Sequence, residues 1–201
     1  LTSKALTPPL RLYLIRHGET LWSLTGRHTG LTDIALTTHG EGQAISLKPR
    51  LQPVDFIRVM TSPSLRARQT CALAGLSEGE QIEPDLSEWH YGDYEGRRTI
   101  DIHEQAPDWN VWRDGCPHGE TPGDVSARAD RLIARLRALS GNVALFSHGQ
   151  FGSALAARWI GAAVSEGQHF ALDPATISIL AYEADHPHVP VIALWNSGTD
   201  G

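Results

Sequence analysis

The chain has 201 residues, of which 41% are hydrophobic and 20% charged, and its formal net charge is -6. That length suits one domain over residues 1–201 with a sizeable core, and the acidic balance argues against a general nucleic-acid binder, which presents a basic face. Two cysteines, Cys71 and Cys116, are too few for a disulfide framework. No apolar run reaches membrane-span length and the N-terminus lacks the apolar core of a signal peptide, so the expectation is a cytoplasmic protein without a membrane partner.

Residues 1–9 read as a loose, Pro-containing lead. Leu12, Tyr13, Leu14 and Ile15 form an apolar run that stops at Arg16-His17-Gly18, the pattern of a buried strand. Residues 21–37 are polar and irregular, and a loop of that length in a compact fold is usually functional. Thr37 or Thr38 caps a helix through Ala44, Ile45 and Leu47 that ends at Pro53. A second strand at 56–61 ends in Ser62-Pro63, and a helix over 64–74 follows with Leu65 and Leu73 inward. Residues 81–86 read as a short strand.

The segment 97–120 carries Pro107, Trp109, Trp112 and Pro117 and reads as an insertion or lid with one short helix. Thr121 caps a helix with Val125, Ala129, Leu132, Ile133, Leu136 and Leu139 at helical spacing and Gly141 beyond it. A strand at 143–147 ends in His148-Gly149. A helix at 151–160 and strands at 177–182 and 189–195 complete the chain. The alternation predicts an α/β fold, a three-layer sandwich with a mostly parallel central sheet flanked by helices, plus the lid-like insertion.

Three strand ends carry groups suited to an anion: Arg16 and His17, Ser62 with Arg66, and His148 with Gly149. In open α/β sheets ligands bind at the carboxyl ends of the strands, and parallel neighbours would bring the three together. A nucleophilic His beside an Arg takes a phosphoryl group while the guanidinium holds its oxygens. Arg66, one turn into its helix, faces the same anion as the helix N-terminus. Read singly, each has a plainer alternative: a strand-end cap for Arg16-His17, a solvated helix face for Arg66, a satisfied buried imidazole for His148.

Glu88, among Trp89, Tyr91 and Tyr94, is the candidate proton carrier. Desolvation raises a carboxyl pKa and nearby arginines lower it, so the sequence leaves the sign of the shift open. Asp85, Asp93 and Glu95 are its neighbouring alternatives. None of the ten histidines falls into a metal-ligand spacing, and His186-Pro187-His188 reads as an exposed turn. No metal and no other cofactor is expected. Cys71 reads as helix core, Cys116 as part of the insertion, and Trp109 and Trp112 either wall a sugar or pack the insertion.

Arg16-His17-Gly18-Glu19-Thr20, Ser62-Pro63 with Arg66-Ala67, Glu88 ahead of Tyr91-Gly92, and Ser147-His148-Gly149 together resemble the histidine phosphatase superfamily, the phosphoglycerate-mutase-like proteins. The match runs in the family's order over nearly the whole chain. Several stretches look nearest to the sedoheptulose-1,7-bisphosphatase branch: His28-Thr29-Gly30-Leu31-Thr32-Asp33, Gly40-Glu41-Gly42-Gln43, and the Trp112-Arg113-Asp114-Gly115-Cys116 core of the insertion.

The resemblance implies His17 as the nucleophile that becomes phosphohistidine, with Arg16, Arg66 and His148 around the transferred group and Glu88 as acid and then base. It implies substrate contacts from Thr29, Gly30, Tyr91, Ser62 and Gly149. Ser23, after Trp22, stands where many members have Asn. Relatives in the branch also carry an Arg five positions after the second catalytic His, where this chain has Ser153; Arg97, Arg98 and Arg113 are the candidates to replace that cation. The implied function is a metal-independent phosphatase acting on a small phosphorylated metabolite such as a sugar phosphate. The alternatives are a phosphoglycerate mutase and a non-catalytic domain that binds a phosphorylated ligand. A homo-oligomer is compatible with all three.

Overall fold

Six strands form one sheet in a computed structural model that describes residues 8–198. Residues 1–7 of the expected lead lie outside the described residues. The strands are β1 (Arg11–Arg16), β2 (Phe56–Thr61), β3 (Gln81–Ile82), β4 (Asn142–Ser147), β5 (Ile177–Tyr182) and β6 (Pro190–Ser197), in the order β3-β2-β4-β1-β5-β6. The pairs β1/β4, β2/β4 and β2/β3 are parallel, whereas β5 is antiparallel to both β1 and β6.

The register explains why the three strand ends meet. Arg16 pairs with Ser147, and Thr61 with Phe146, so β1, β4 and β2 finish level on one rim. Two backbone bonds extend that alignment into the loops: the His17 amide donates to Ser147 at 3.0 Å and the Ser62 amide to Phe146 at 2.9 Å. With β4 in the middle, His148 emerges between His17 and Ser62.

Both faces of the central strands are buried, so each strand divides its side chains between two cores. Leu12, Leu14, Val143 and Leu145 pack on the side of helices α7 (Pro122–Leu136) and α8 (Gly149–Trp159). Ile15, Ala144 and Phe146 pack on the side of α2 (Thr38–Ser46), α3 (Lys48–Leu51) and α4 (Leu65–Leu73). Burying each large aliphatic chain contributes about 1.5–3 kcal/mol. The result is the expected three-layer α/β sandwich. Among the described residues, no helix is long and apolar enough to cross a membrane.

Several local expectations change. The loop at 21–37 opens with a short helix, α1 (Leu21–Leu24), held by a Thr20–Ser23 capping box. The helix expected to run to Pro53 breaks at Leu47, because Pro49 has no N–H to continue the α2 ladder and instead starts α3. Ile45 is exposed while Ala44 and Leu47 are buried. On α4 the inward face is not Leu65, which is exposed, but Arg66, Ala67, Thr70 and Cys71. Apolar size pointed the wrong way there, since a guanidinium whose two Nη groups donate to backbone carbonyls is tolerated inside. The strand expected over 81–86 stops at Ile82, after which Pro84 begins a 3-10 turn.

The segment 97–120 holds two short helices rather than one, α5 (Thr99–His103) and α6 (Val111–Asp114). Thr121 does cap α7, through a reciprocal box with Asp124, a device worth about 1 kcal/mol. Cys71 and Cys116 are both free and buried. Burial pushes the Cys71 thiol up strongly and that of Cys116 to about 12, so neither is a ready thiolate.

Candidate active site

His17 follows β1 directly and is almost fully buried. Its Nδ1 lies 2.7 Å from the carbonyl oxygen of Gly18. A carbonyl only accepts, so Nδ1 carries the proton and Nε2 keeps its lone pair. Burial first, then the charges of Arg66 and Arg16, holds the imidazole well below its ordinary pKa of 6.5. The ring is therefore neutral and has one basic nitrogen unclaimed.

The turn that presents His17 is locked from below. The Gly18 amide donates to Thr70 Oγ1 at 3.0 Å, and that hydroxyl donates to the Arg66 carbonyl at 2.7 Å. A Cβ on Gly18 would come within 2.4 Å of the Gly40 carbonyl oxygen, so the loop and the start of α2 meet backbone to backbone.

Two guanidinia flank the ring. Arg16 donates from Nη1 to the Leu172 carbonyl. It lies against α8 where Gly149 has no side chain; a Cβ there would be 3.2 Å from Arg16 Cζ. Arg66 is fully buried and donates to the carbonyls of Thr29, Gly30 and Thr32 at 3.0, 3.0 and 3.1 Å. Both groups have their pKa lowered by burial and supported by the Glu88 charge, and both remain cations.

His148 completes the cluster, its ring centroid 5.2 Å from that of His17. Its Nε2 lies 2.8 Å from Ser62 Oγ, and burial with Arg66 and His17 nearby holds its pKa well below 6.5. Three buried nitrogens here have no partner: Arg16 Nε, Arg66 Nε and His148 Nδ1. Leaving a buried polar nitrogen unpaired, donor or acceptor, costs about 1–3 kcal/mol. Clustered around one imidazole, the three describe a cradle for an anion.

Glu88 is buried, and its carboxylate is gripped by backbone amides. Oε1 accepts from Phe151 at 2.7 Å and Trp89 at 2.9 Å, and Oε2 accepts from Gln150 at 3.1 Å. Oε2, with a single partner, is the oxygen with capacity left to hold a proton.

Arg16, His17, Glu88, Gly149, Thr29 and Tyr91 line one cavity of about 340 Å³. Gly30, Ser62 and His148 line a second of about 170 Å³, which also reaches Glu88. Arg66 lines neither, and its unpartnered Nε is the nitrogen left to reach an anion. The Gly30 amide is bound by the Glu95 carboxylate and its carbonyl by Arg66, so both of its polar groups are committed within the protein. Tyr91 stacks on His28, with centroids 4.7 Å apart, and burial keeps its hydroxyl protonated. Trp109 packs against Tyr94 and His28, outside the insertion's own residues, whereas Trp112 reaches the cavity wall.

The three arginines expected to stand in for the missing cation are engaged elsewhere. Arg98 pairs with Asp101 at 2.6 Å, Arg113 pairs with Asp114 at 2.7 Å, and Arg97 donates to the Asp101 carbonyl at 2.8 Å. None lines the larger cavity, but Arg27 does. Sequence reasoning passed over it; the only signal was its place in the long irregular loop. Among the described residues, no group of three or more His, Cys, Asp or Glu side chains is placed to hold a metal ion.

The family model of the histidine phosphatase superfamily (branch 1) matches residues 12–197. The chain belongs to the histidine phosphatase superfamily. An acid phosphatase of Mycobacterium tuberculosis is 43% identical over 92% of this chain and 92% of its own length. A sedoheptulose 1,7-bisphosphatase of Saccharomyces cerevisiae is 38% identical over 81% of this chain and 71% of its own. The solved structure of an open reading frame product from Mycobacterium tuberculosis superposes with a TM-score of 0.88 at 40% identity, covering 94% of this chain and 98% of that one. Phosphoric monoester hydrolase is the activity that this membership and these relatives support.

Proposed function

We propose that the protein hydrolyses a small phosphorylated metabolite, a sugar phosphate, through a phosphohistidine on His17 and without a metal ion. The observation that carries this reading is the His17 ring itself. Its proton is fixed on Nδ1 by the Gly18 carbonyl, its Nε2 is free, and the unpartnered buried N–H groups of Arg16 and Arg66 accompany it, together with the unpartnered Nδ1 of His148.

In the first step Nε2 attacks phosphorus and the bond to the leaving oxygen breaks. Glu88, as the carboxylic acid, gives its proton to that oxygen. In the second step water attacks phosphorus, the carboxylate of Glu88 takes its proton, and the P–Nε2 bond breaks to release inorganic phosphate. Charge on the equatorial oxygens is met by Arg16, Arg66 and His148, already desolvated and oriented, which is the main source of rate in phosphoryl transfer. Two guanidinia supply the positive charge that a metal provides elsewhere.

The sugar reading rests on walls that mix Tyr91 and Trp112 with the polar side chains of Gln150 and Gln168. Two free cysteines fit a reducing compartment, and the cytoplasm is the proposed site of action. The test is phosphate release measured across sugar mono- and bisphosphates, phosphoglycerates and nucleotides. Release from sugar phosphates with no isomerisation of 2- or 3-phosphoglycerate supports the reading; isomerisation without release replaces it with a mutase.

A further inference from the structure

Beyond the phosphoryl cradle, the larger cavity has an unbalanced charge. Its only lining carboxylate is Glu88, at the inner end, and its only lining guanidinium besides Arg16 is Arg27. His28 adds no charge above pH 5, because burial lowers its pKa to about 4. Arg27 is exposed, and among the described residues its side chain makes no ion pair or hydrogen bond with any other. Its backbone, in contrast, is held: the amide donates to the Trp22 carbonyl at 2.9 Å, and the residue bridges to Arg98. The cation thus stands on a fixed stem at the cavity wall.

The rest of the lining offers no substitute. Ser153 donates its hydroxyl toward the carbonyls of Gly149 and Phe170, at 3.0 and 2.8 Å. Gly167 packs so closely on Trp112 that a Cβ would fall 2.6 Å from the indole. These lining groups are neutral.

We propose that Arg27 is a specificity-determining residue that binds a second anionic group, a phosphate or a carboxylate, at the end of the substrate remote from the transferred phosphoryl. This rests on the phosphatase reading above and names the substrate class that the same pocket selects. A guanidinium holds either anion through paired N–H donors, and binding energy from a remote group is what separates related substrates.

The experiment compares kcat/KM for fructose 1,6-bisphosphate with fructose 1-phosphate, and for 3-phosphoglycerate with glycerol 3-phosphate. The first pair reads a remote phosphate and the second a carboxylate. Wild-type protein is expected to prefer the doubly anionic member of at least one pair by about tenfold or more. Arg27→Gln is expected to collapse that ratio, chiefly through KM, and Arg27→Lys to keep part of it. A wild-type ratio near one in both pairs, or a ratio unaltered in Arg27→Gln, overturns the proposal. p-Nitrophenyl phosphate separates the two failures: if it is hydrolysed while the ratio is flat, only the role of Arg27 falls, and if nothing is hydrolysed the phosphatase reading falls with it.

Discussion

The Glu88 carboxylate accepts a hydrogen bond from the Phe151 amide at 2.7 Å, so the proposed proton carrier is also the cap of helix α8. His148 occupies the N-cap position and supplies no side-chain bond of its own. Glu88, from the loop after the 3-10 turn, fills that gap and meets the positive end of the helix dipole.

Glu88→Gln therefore has two effects that can be measured apart. An amide cannot accept at both ends, so one of the three backbone donors loses its partner, and stability falls by about 1–2 kcal/mol. The melting temperature should drop by about 2–8 °C. Below that transition, turnover of alkyl phosphates should slow by about 10²–10⁴, and turnover of an activated aryl phosphate by much less. An equal loss with both leaving groups contradicts the role of Glu88 as the acid of the first step.

The two buried histidines make stability depend on pH in a definite direction. Unfolded, each takes up a proton near pH 6.5; folded, burial and the arginines keep both neutral well below that. Unfolding thus binds protons as pH falls under 6.5, and stability present above that pH is lost progressively in acid, at up to about 1.4 kcal/mol per pH unit per histidine. Urea titrations of wild type and His17→Asn in phosphate-free buffer at pH 7.5 and 5.5 read this directly. The wild type should lose more than the variant; equal losses would mean that His17 is not held neutral.

Thr70 links the His17 turn to the helix that carries Arg66 and lines neither cavity of the site, so its proposed role is that of a positioning residue. Thr70→Val strands the Gly18 amide and should cost about 1–3 kcal/mol of stability. It should also reduce kcat about tenfold with little change in KM, since the orientation of His17 matters most in the transition state. Thr70→Ser, which keeps the hydroxyl, should restore kcat. Failure of the Ser variant to recover activity would assign the residue to packing alone.

Metal removal offers a simple check. Prolonged treatment with EDTA, followed by assay in metal-free buffer, should leave phosphate release unchanged. A loss that is recovered by adding back a divalent cation would contradict catalysis by the two guanidinia.

The layers of the fold and the convergence of three strand ends were legible because they follow from short-range patterns. Apolar runs mark β1 and β4, capping residues mark α2 and α7, and the chemistry sits where the runs stop. What escaped depended on contacts between distant parts of the chain. Helix α8 starts at Gly149, ahead of the expected position, because its cap comes from Glu88, some sixty positions earlier. Arg66 turns inward because carbonyls from the loop at 29–32 satisfy it. Arg27 was invisible as a pocket residue because a charged side chain in an irregular loop carries no periodic signal. Arg97, Arg98 and Arg113 looked available only while their local partners were unseen.

The central claim is that His17 carries the phosphoryl group, and rapid quenching tests it most directly. Protein mixed with ³²P-labelled substrate and quenched within milliseconds should hold an acid-labile, alkali-stable phosphoryl group that maps to the peptide containing His17 and is absent in His17→Ala. Label that persists in His17→Ala, or that maps to another residue, would contradict the account.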